Sequence, residues 1–164
     1  MSTALLSALA PLQRPGQSPV PFHLLSHPRL GSAFLFSDRK ALRSAPLAWN
    51  PWREQLLRLV GAGWSKKVAI APLSLPILEE QGFSDASLAI RLGTAGPEQK
   101  LHLTVLRDGA PVAHLKLGIG PASERLLDHE AEMLDVVRSF FPVPETLAHG
   151  TLDSGHRFLL QRYA

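Results

Sequence analysis

Lys116 and Glu130 are the two residues of this chain whose types and spacing best suit chemistry. Lys116 lies in a short apolar segment, Val112-Ala113-His114-Leu115-Lys116-Leu117, and Glu130 follows fourteen residues later inside a helical pattern. Leu126, Leu127, Met133, Leu134 and Val137 define one apolar stripe at i, i+3, i+4 and i+7 spacing, with Glu130 in its middle. Glu124, Asp128, Glu132 and Asp135 lie mostly off that stripe. A carboxylate embedded in an apolar face needs a cation or several donors, because burying it unpaired costs several kcal/mol. The nearest preceding strand offers Lys116, so a Lys116–Glu130 ion pair is expected. The alternative is a carboxylate that reaches water from the edge of a narrow stripe.

The elements that must position these residues are readable from about residue 84 onward. Ser87–Leu92 is a first strand, followed by the loop Gly93-Thr94-Ala95-Gly96-Pro97-Glu98-Gln99-Lys100. Leu101, Leu103 and Val105 alternate with His102 and Thr104, the period of a half-buried strand. Asp108-Gly109 supplies a turn, and Val112–Leu117 returns as a third strand, with Val112, His114 and Lys116 on one face. A helix over 123–139 and two more strands, Thr146–His149 and Phe158–Gln161, complete the order. Three strands, one helix and two strands describe an α+β unit: a five-stranded antiparallel sheet with one packed helix.

The amino-terminal half is less regular. Pro11, Pro15, Pro19, Pro21 and Pro28 make residues 1–30 read as a flexible, proline-rich tether, since proline fixes φ and removes an amide donor. Residues 31–83 read as a basic extension with one helix and short strands. Ser32–Phe36 and Lys67–Ala71 are its strand candidates, and Asn50-Pro51 opens a helix that ends at Gly61 and Gly63. Trp49, Trp52 and Trp64 all fall here and suit either core packing or a sugar-stacking platform.

Composition narrows the function classes. With 45% hydrophobic and 19% charged residues the chain reads as globular, and no apolar run approaches the roughly 18 residues of a membrane span. The apolar patch at Ala4–Leu9 has no basic residue before it, so no signal peptide and a cytoplasmic location are expected. Residues 1–76 hold nine Lys and Arg against two acidic residues, a net of +7, while residues 77–164 carry −4. The basic charges are scattered, with no block, and a nucleic-acid partner is not expected. Cysteine is absent, which removes disulfides and thiolate chemistry. Seven histidines show no metal spacing with carboxylates, and neither a Gly-x-Ser-x-Gly elbow nor a Walker loop occurs.

Four segments together resemble a known family. They are Val-Ala-His-Leu-Lys ending at Lys116, His-Glu-Ala-Glu-Met-Leu at 129–134, Phe-Pro-Val-Pro at 141–144, and Phe-Leu-Leu-Gln-Arg-Tyr at 158–163. Residues 84–164 are similar to the amino-terminal lobe of the aminoglycoside phosphotransferase and choline kinase-like group, itself similar to protein kinases. The resemblance implies that Lys116 contacts the α- and β-phosphates of ATP while Glu130 holds its ammonium in place. It implies that the loop around Gly93, Thr94, Ala95 and Gly96 covers the phosphates, although that loop departs from the Gly-x-Gly-x-x-Gly pattern of protein kinases. It also implies that the backbone around Gln161, Arg162 and Ala164 hydrogen-bonds adenine.

The family's catalytic aspartate and metal-binding residues would lie on a carboxy-terminal lobe beyond Ala164. The expected function is therefore the nucleotide-binding half of a small-molecule kinase for a sugar or amino-alcohol hydroxyl, with Mg2+ engaged only when that lobe is supplied. This chain alone is not expected to be active. The expected partner is that separate lobe, or a second copy, meeting an exposed face that includes Leu92, Val112, Leu160 and Tyr163. A non-catalytic interaction module built on the same scaffold is the competing class.

Overall fold

Antiparallel strand pairing organises the protein from end to end. The computed structural model describes residues 2–27, 32–44 and 65–163. In chain order these form α1 (Ser2–Leu9), a 3-10 turn (Ala10–Leu12), β1 (Val20–His27), β2 (Ser32–Phe36), α2 (Arg39–Ser44), β3 (Lys66–Ile70) and α3 (Pro76–Glu80). There follow β4 (Ser87–Leu92), β5 (Lys100–Arg107), β6 (Ala110–Gly118), α4 (Pro121–Val137), β7 (Thr146–Thr151) and β8 (Arg157–Arg162). The strands build one eight-stranded sheet in the order β3-β1-β2-β4-β5-β6-β8-β7.

The class is α+β, but the sheet has eight strands where sequence led us to expect five. The five expected strands lie together as β4-β5-β6-β8-β7, and β2 extends them by pairing along β4. Without β2, the backbone amides and carbonyls on that side of β4 would be an open sheet edge. The expected tether also differs, because its second half is strand β1, hydrogen-bonded to β2 on one side and β3 on the other. Pro21 is tolerated because its position faces Ala69 of β3 only. Pairing with β2 begins at His23, so no donor is missed on the second side. Upstream, Gln13 bridges Leu73, and Arg14 donates its amide to the Pro72 carbonyl at 2.8 Å. The expected helix at 51–63 and the three tryptophans lie outside the described residues.

Period-two alternation gives the sheet two different faces. One carries the main core: Phe22, Leu35, Ile90, Leu103, Leu115 and Leu160 from six strands, roofed by Leu5 and Leu9 of α1 and by Ile77 and Leu78 of α3. The other carries two smaller apolar clusters. Leu25, Phe34, Phe36 and Ala89 pack against Ala41 and Leu42 of α2, and Leu159 packs against Leu127 and Ala131 of α4. No helix among the described residues is long and apolar enough to cross a membrane.

Leu5 and Leu9 are fully buried, so the opening helix belongs to the core and not to a flexible tether. Leu9→Ala should destabilise the whole sheet by about 2–4 kcal/mol, the usual cost of truncating a buried leucine. Urea unfolding should show it as a lower midpoint of one cooperative transition. A separate early transition for residues 1–80, leaving 84–163 folded, would contradict a shared core.

Candidate functional site

Two lateral rows of side chains cross the second face of the sheet. In the first, Phe34, Arg91, His102, Lys116 and Leu159 stand opposite one another on β2, β4, β5, β6 and β8. In the second, Phe36, Ala89, Thr104, His114 and Gln161 do the same. Each row begins in the apolar cluster under α2. The first ends at Leu159 under α4, and between the clusters lies a polar strip that includes Arg91, His102, His114 and Lys116.

Local chemistry fixes how α4 lies along this strip. Gly120 caps the helix and Pro121 occupies its first turn, where a missing amide costs nothing. The buried Ser123 hydroxyl accepts the amides of Ile119 and Gly120 at 3.0 and 3.1 Å and donates to the Gly120 carbonyl at 2.8 Å. Gly118 is required by space. A methyl group there would lie 2.6 Å from Glu124 Cγ and 3.0 Å from the Glu124 Cα and backbone nitrogen.

The helix faces the sheet through Ser123, Leu127, Ala131 and Leu134, whereas Met133 is 45% exposed. At 3.6 residues per turn this face is rotated by roughly 60° from the stripe expected from the sequence. Glu130 therefore sits on the flank of the packed face, not in its middle. From there its Oε1 accepts a hydrogen bond from Lys116 Nζ, the expected ion pair. On the opposite flank Asp128 binds Arg157 of β8, whose Nε donates to Asp128 Oδ1 at 2.8 Å.

Glu130 has a second partner that sequence reasoning missed. Lys100, the first residue of β5, places its Nζ 3.5 Å from Glu130 Oε2, so one carboxylate is shared by two lysines. Both lysine side chains are about one-fifth exposed. The two histidines of the strip were also missed as a pair: His102 Nδ1 lies 3.1 Å from His114 Nε2, one ring donating and the other accepting. The alternation that marked Leu101, Leu103 and Val105 as core already placed Lys100 and His102 on the Lys116 face. What sequence lacked was the register that sets His102 opposite Lys116.

Burial and charge act together on these rings. Burial, then the nearby Arg91, His114, Lys116 and Lys100, hold His102 down to about 3. Burial, then Lys116 and Arg91, hold His114 down to about 4, against an opposing pull from Glu130. Both are neutral at pH 7. Burial likewise lowers the pKa of Arg91, which makes no ion pair among the described residues. Among the described residues Lys100 and Lys116 thus share one carboxylate, and Arg91 adds a further cation beside His102.

The remaining expected site residues are placed less uniformly. The Gly93 amide donates to the Lys100 carbonyl at 2.8 Å, and Gln99 Nε2 donates to the Gly93 carbonyl at 2.9 Å, closing the loop at its base. Thr94, Ala95 and Gly96 are exposed, and their amides donate to no acceptor among the described residues. The Gln161 side chain is buried beside His114. Arg162 gives its amide to the Glu145 carbonyl at 2.8 Å, and Tyr163 gives its own to the Val112 carbonyl at 3.0 Å. Continuing the ladder thus consumes the donors expected to meet adenine; Ala164 is outside the described residues. The expected partner face is corrected too: Leu160 is fully buried in the main core cluster, and Leu92 and Val112 pack against the same core. Of that set Tyr163 stays exposed, while among the described residues the most exposed large apolar side chains are Val136, Phe140 and Phe141, in and just beyond the last turn of α4.

No protein-family model matches the chain, and searches of curated proteins and of solved structures find no match either.

Two measurements check this geometry. Below about pH 6.5 the unfolded chain takes up protons on His102 and His114 while the folded state does not, so stability falls with pH until about 4 to 3. Between pH 7 and 5 each ring should contribute on the order of 1 kcal/mol of this loss, water screening part of the full effect. His102→Asn with His114→Asn should flatten the profile of unfolding midpoints over that window; an unchanged slope would contradict it. Gly118→Ala should cost about 1–3 kcal/mol, as overpacking against backbone does. It should also shift the Glu130 amide resonance by moving the first turn of α4.

Proposed function

We propose that the strip around Lys116 is a phosphate-binding site, and that the chain is the nucleotide-binding half of an ATP-dependent small-molecule phosphotransferase. The acceptor would be a sugar or amino-alcohol hydroxyl. The observation that carries this reading is the charge balance around Glu130. With both imidazoles neutral at pH 7, Lys100 and Lys116 share the Glu130 carboxylate, and Arg91 beside His102 makes no ion pair among the described residues. Partly buried cations without matching anions are unfavourable, and a phosphate ligand would relieve that surplus through charge-assisted hydrogen bonds. Glu130 holds the Lys116 ammonium in place, and the amides of 94–96, which meet no acceptor among the described residues, are further donors on the loop that Gly93 and Lys100 close.

The residues present suit phosphates better than they suit a base or a metal. The amides of Arg162 and Tyr163 are already spent within the protein, so adenine gains no donor from them. Among the described residues no group of three His, Asp or Glu could hold a metal ion. Mg2+, which neutralises charge in phosphoryl transfer, would be held by residues of a carboxy-terminal lobe. That lobe would also supply the base for the attacking hydroxyl. The exposed Phe140 and Phe141 are apolar surface that such a partner would cover. A stand-alone interaction module is the second reading, favoured by one observation: Leu160 is fully buried in the same core cluster as Leu5 and Leu9 of the opening helix.

ATP should bind in the high-micromolar to millimolar range, as expected when few contacts are buried. Lys116→Ala should weaken it by about tenfold, the loss of one charge-assisted contact. GTP should bind about as well as ATP, and adenosine should not bind measurably. Amide chemical-shift titration reads all of these. Adenosine binding as tightly as ATP, or ATP binding unaffected by Lys116→Ala, would overturn the phosphate reading.

A further inference from the structure

The sharing of Glu130 between two lysines has a consequence for ligand type. Lys116 meets one oxygen of the carboxylate and Lys100 the other, so the two ammonium groups are held within one carboxylate's span. They reach that point by independent routes. Lys116 stands mid-strand on β6, opposite His102, whereas Lys100 begins β5, opposite Gly118, which has no side chain to block its reach toward α4. Each ammonium has three donors, of which Glu130 engages one. Two lysines fixed side by side, each with donors to spare, match a ligand with two adjacent anionic groups.

The base of the loop ties Lys100 to the same place. Its carbonyl accepts the Gly93 amide, and a methyl group at Gly93 would lie 3.1 Å from that carbonyl and 3.2 Å from His102 Nε2. Glycine at 93 therefore lets the loop close against the strip. Arg91, two residues earlier and facing His102 across β4 and β5, adds a third cation. Glu130, already bound to both lysines, is the carboxylate that the described ion pairs bring to this strip.

Resting on the phosphate reading above, we infer that Lys100 is a second anion-binding residue of the site, and that Lys100 and Lys116 together select a diphosphate group and bind it without a divalent cation. Lys116 takes one phosphoryl group and Lys100 the next, while Glu130 holds the pair of ammonium groups side by side. A purely structural role for Lys100, anchoring α4 through Glu130, would affect stability and leave ligand choice untouched.

The test uses the full chain in EDTA at constant ionic strength, titrated calorimetrically with inorganic pyrophosphate and with orthophosphate. Wild type should prefer pyrophosphate by about tenfold, the worth of one additional charge-assisted contact. Lys100→Gln should abolish that preference, weakening pyrophosphate by about tenfold while changing orthophosphate by less than about threefold. Lys100→Arg should retain the preference, which separates loss of charge from loss of fold. Lys116→Gln should weaken both anions. Equal pyrophosphate affinity in wild type and Lys100→Gln, with Lys116→Gln impaired, would overturn the role of Lys100 and leave the phosphate reading standing. No preference in wild type would overturn the diphosphate selection, and no binding of either anion to wild type would overturn both readings.

Discussion

The pairing of β2 with β4 is the constraint on which the rest of the structure depends. Phe34, Leu35 and Phe36 face Arg91, Ile90 and Ala89 across it, and that register carries the amino-terminal strands into the same sheet as the carboxy-terminal ones. Because side chains alternate along every strand, one register decides both faces at once. Leu35 and Ile90 join the core roofed by α1 and α3, while Phe34 and Arg91 turn to the opposite side. A slip of one residue would send Arg91 into the core and break the row that leads to Lys116.

The polar strip is a consequence of two helices of unequal length covering separate parts of one face. Six residues of α2 shelter the aromatic cluster at Phe34 and Phe36, and α4 shelters Leu159 at the other end. Between them, cationic side chains and neutral imidazoles are held at partial burial. Here desolvation and like charge act in the same direction on the histidines, keeping them neutral where free histidine would begin to protonate. The lysines keep their charge company with a single carboxylate. Positive potential is thus concentrated beside Gly93, where the β4–β5 loop meets Lys100 and His102, which is the physical content of the proposed affinity for phosphate.

The position of Glu130 illustrates how packing corrects a periodic pattern. Large apolar residues alone put it in the centre of a stripe, but the helix turns its small residues, Ser123 and Ala131, toward the sheet. Gly118 and the Ser123 hydroxyl allow this, since they let the first turn of α4 approach the backbone at the end of β6. With the axis that close, a small side chain packs better than methionine, and Met133 is left at the surface. From the flank the Glu130 carboxylate reaches both Lys100 and Lys116.

Local pattern alone was enough to determine β4 to β8, the helix between β6 and β7, and the ion pair of Lys116 with Glu130. Each rests on short-range signals: alternation, a turn at Asp108-Gly109, and a carboxylate among leucines. Strand β1, the extension of the sheet to eight strands, the burial of Leu5, Leu9 and Leu160, and the pairing of Lys100 and His102 into the site were not legible in this way. They arise from contacts between residues far apart in the chain, and no local rule sets their register. Proline in β1 misled because its cost depends on whether a second strand lies beside it, and at Pro21 none does. Residue types and spacing settled which groups carry charge; only the tertiary structure, by choosing which strands meet and how closely α4 approaches, decided which of those charges share one carboxylate.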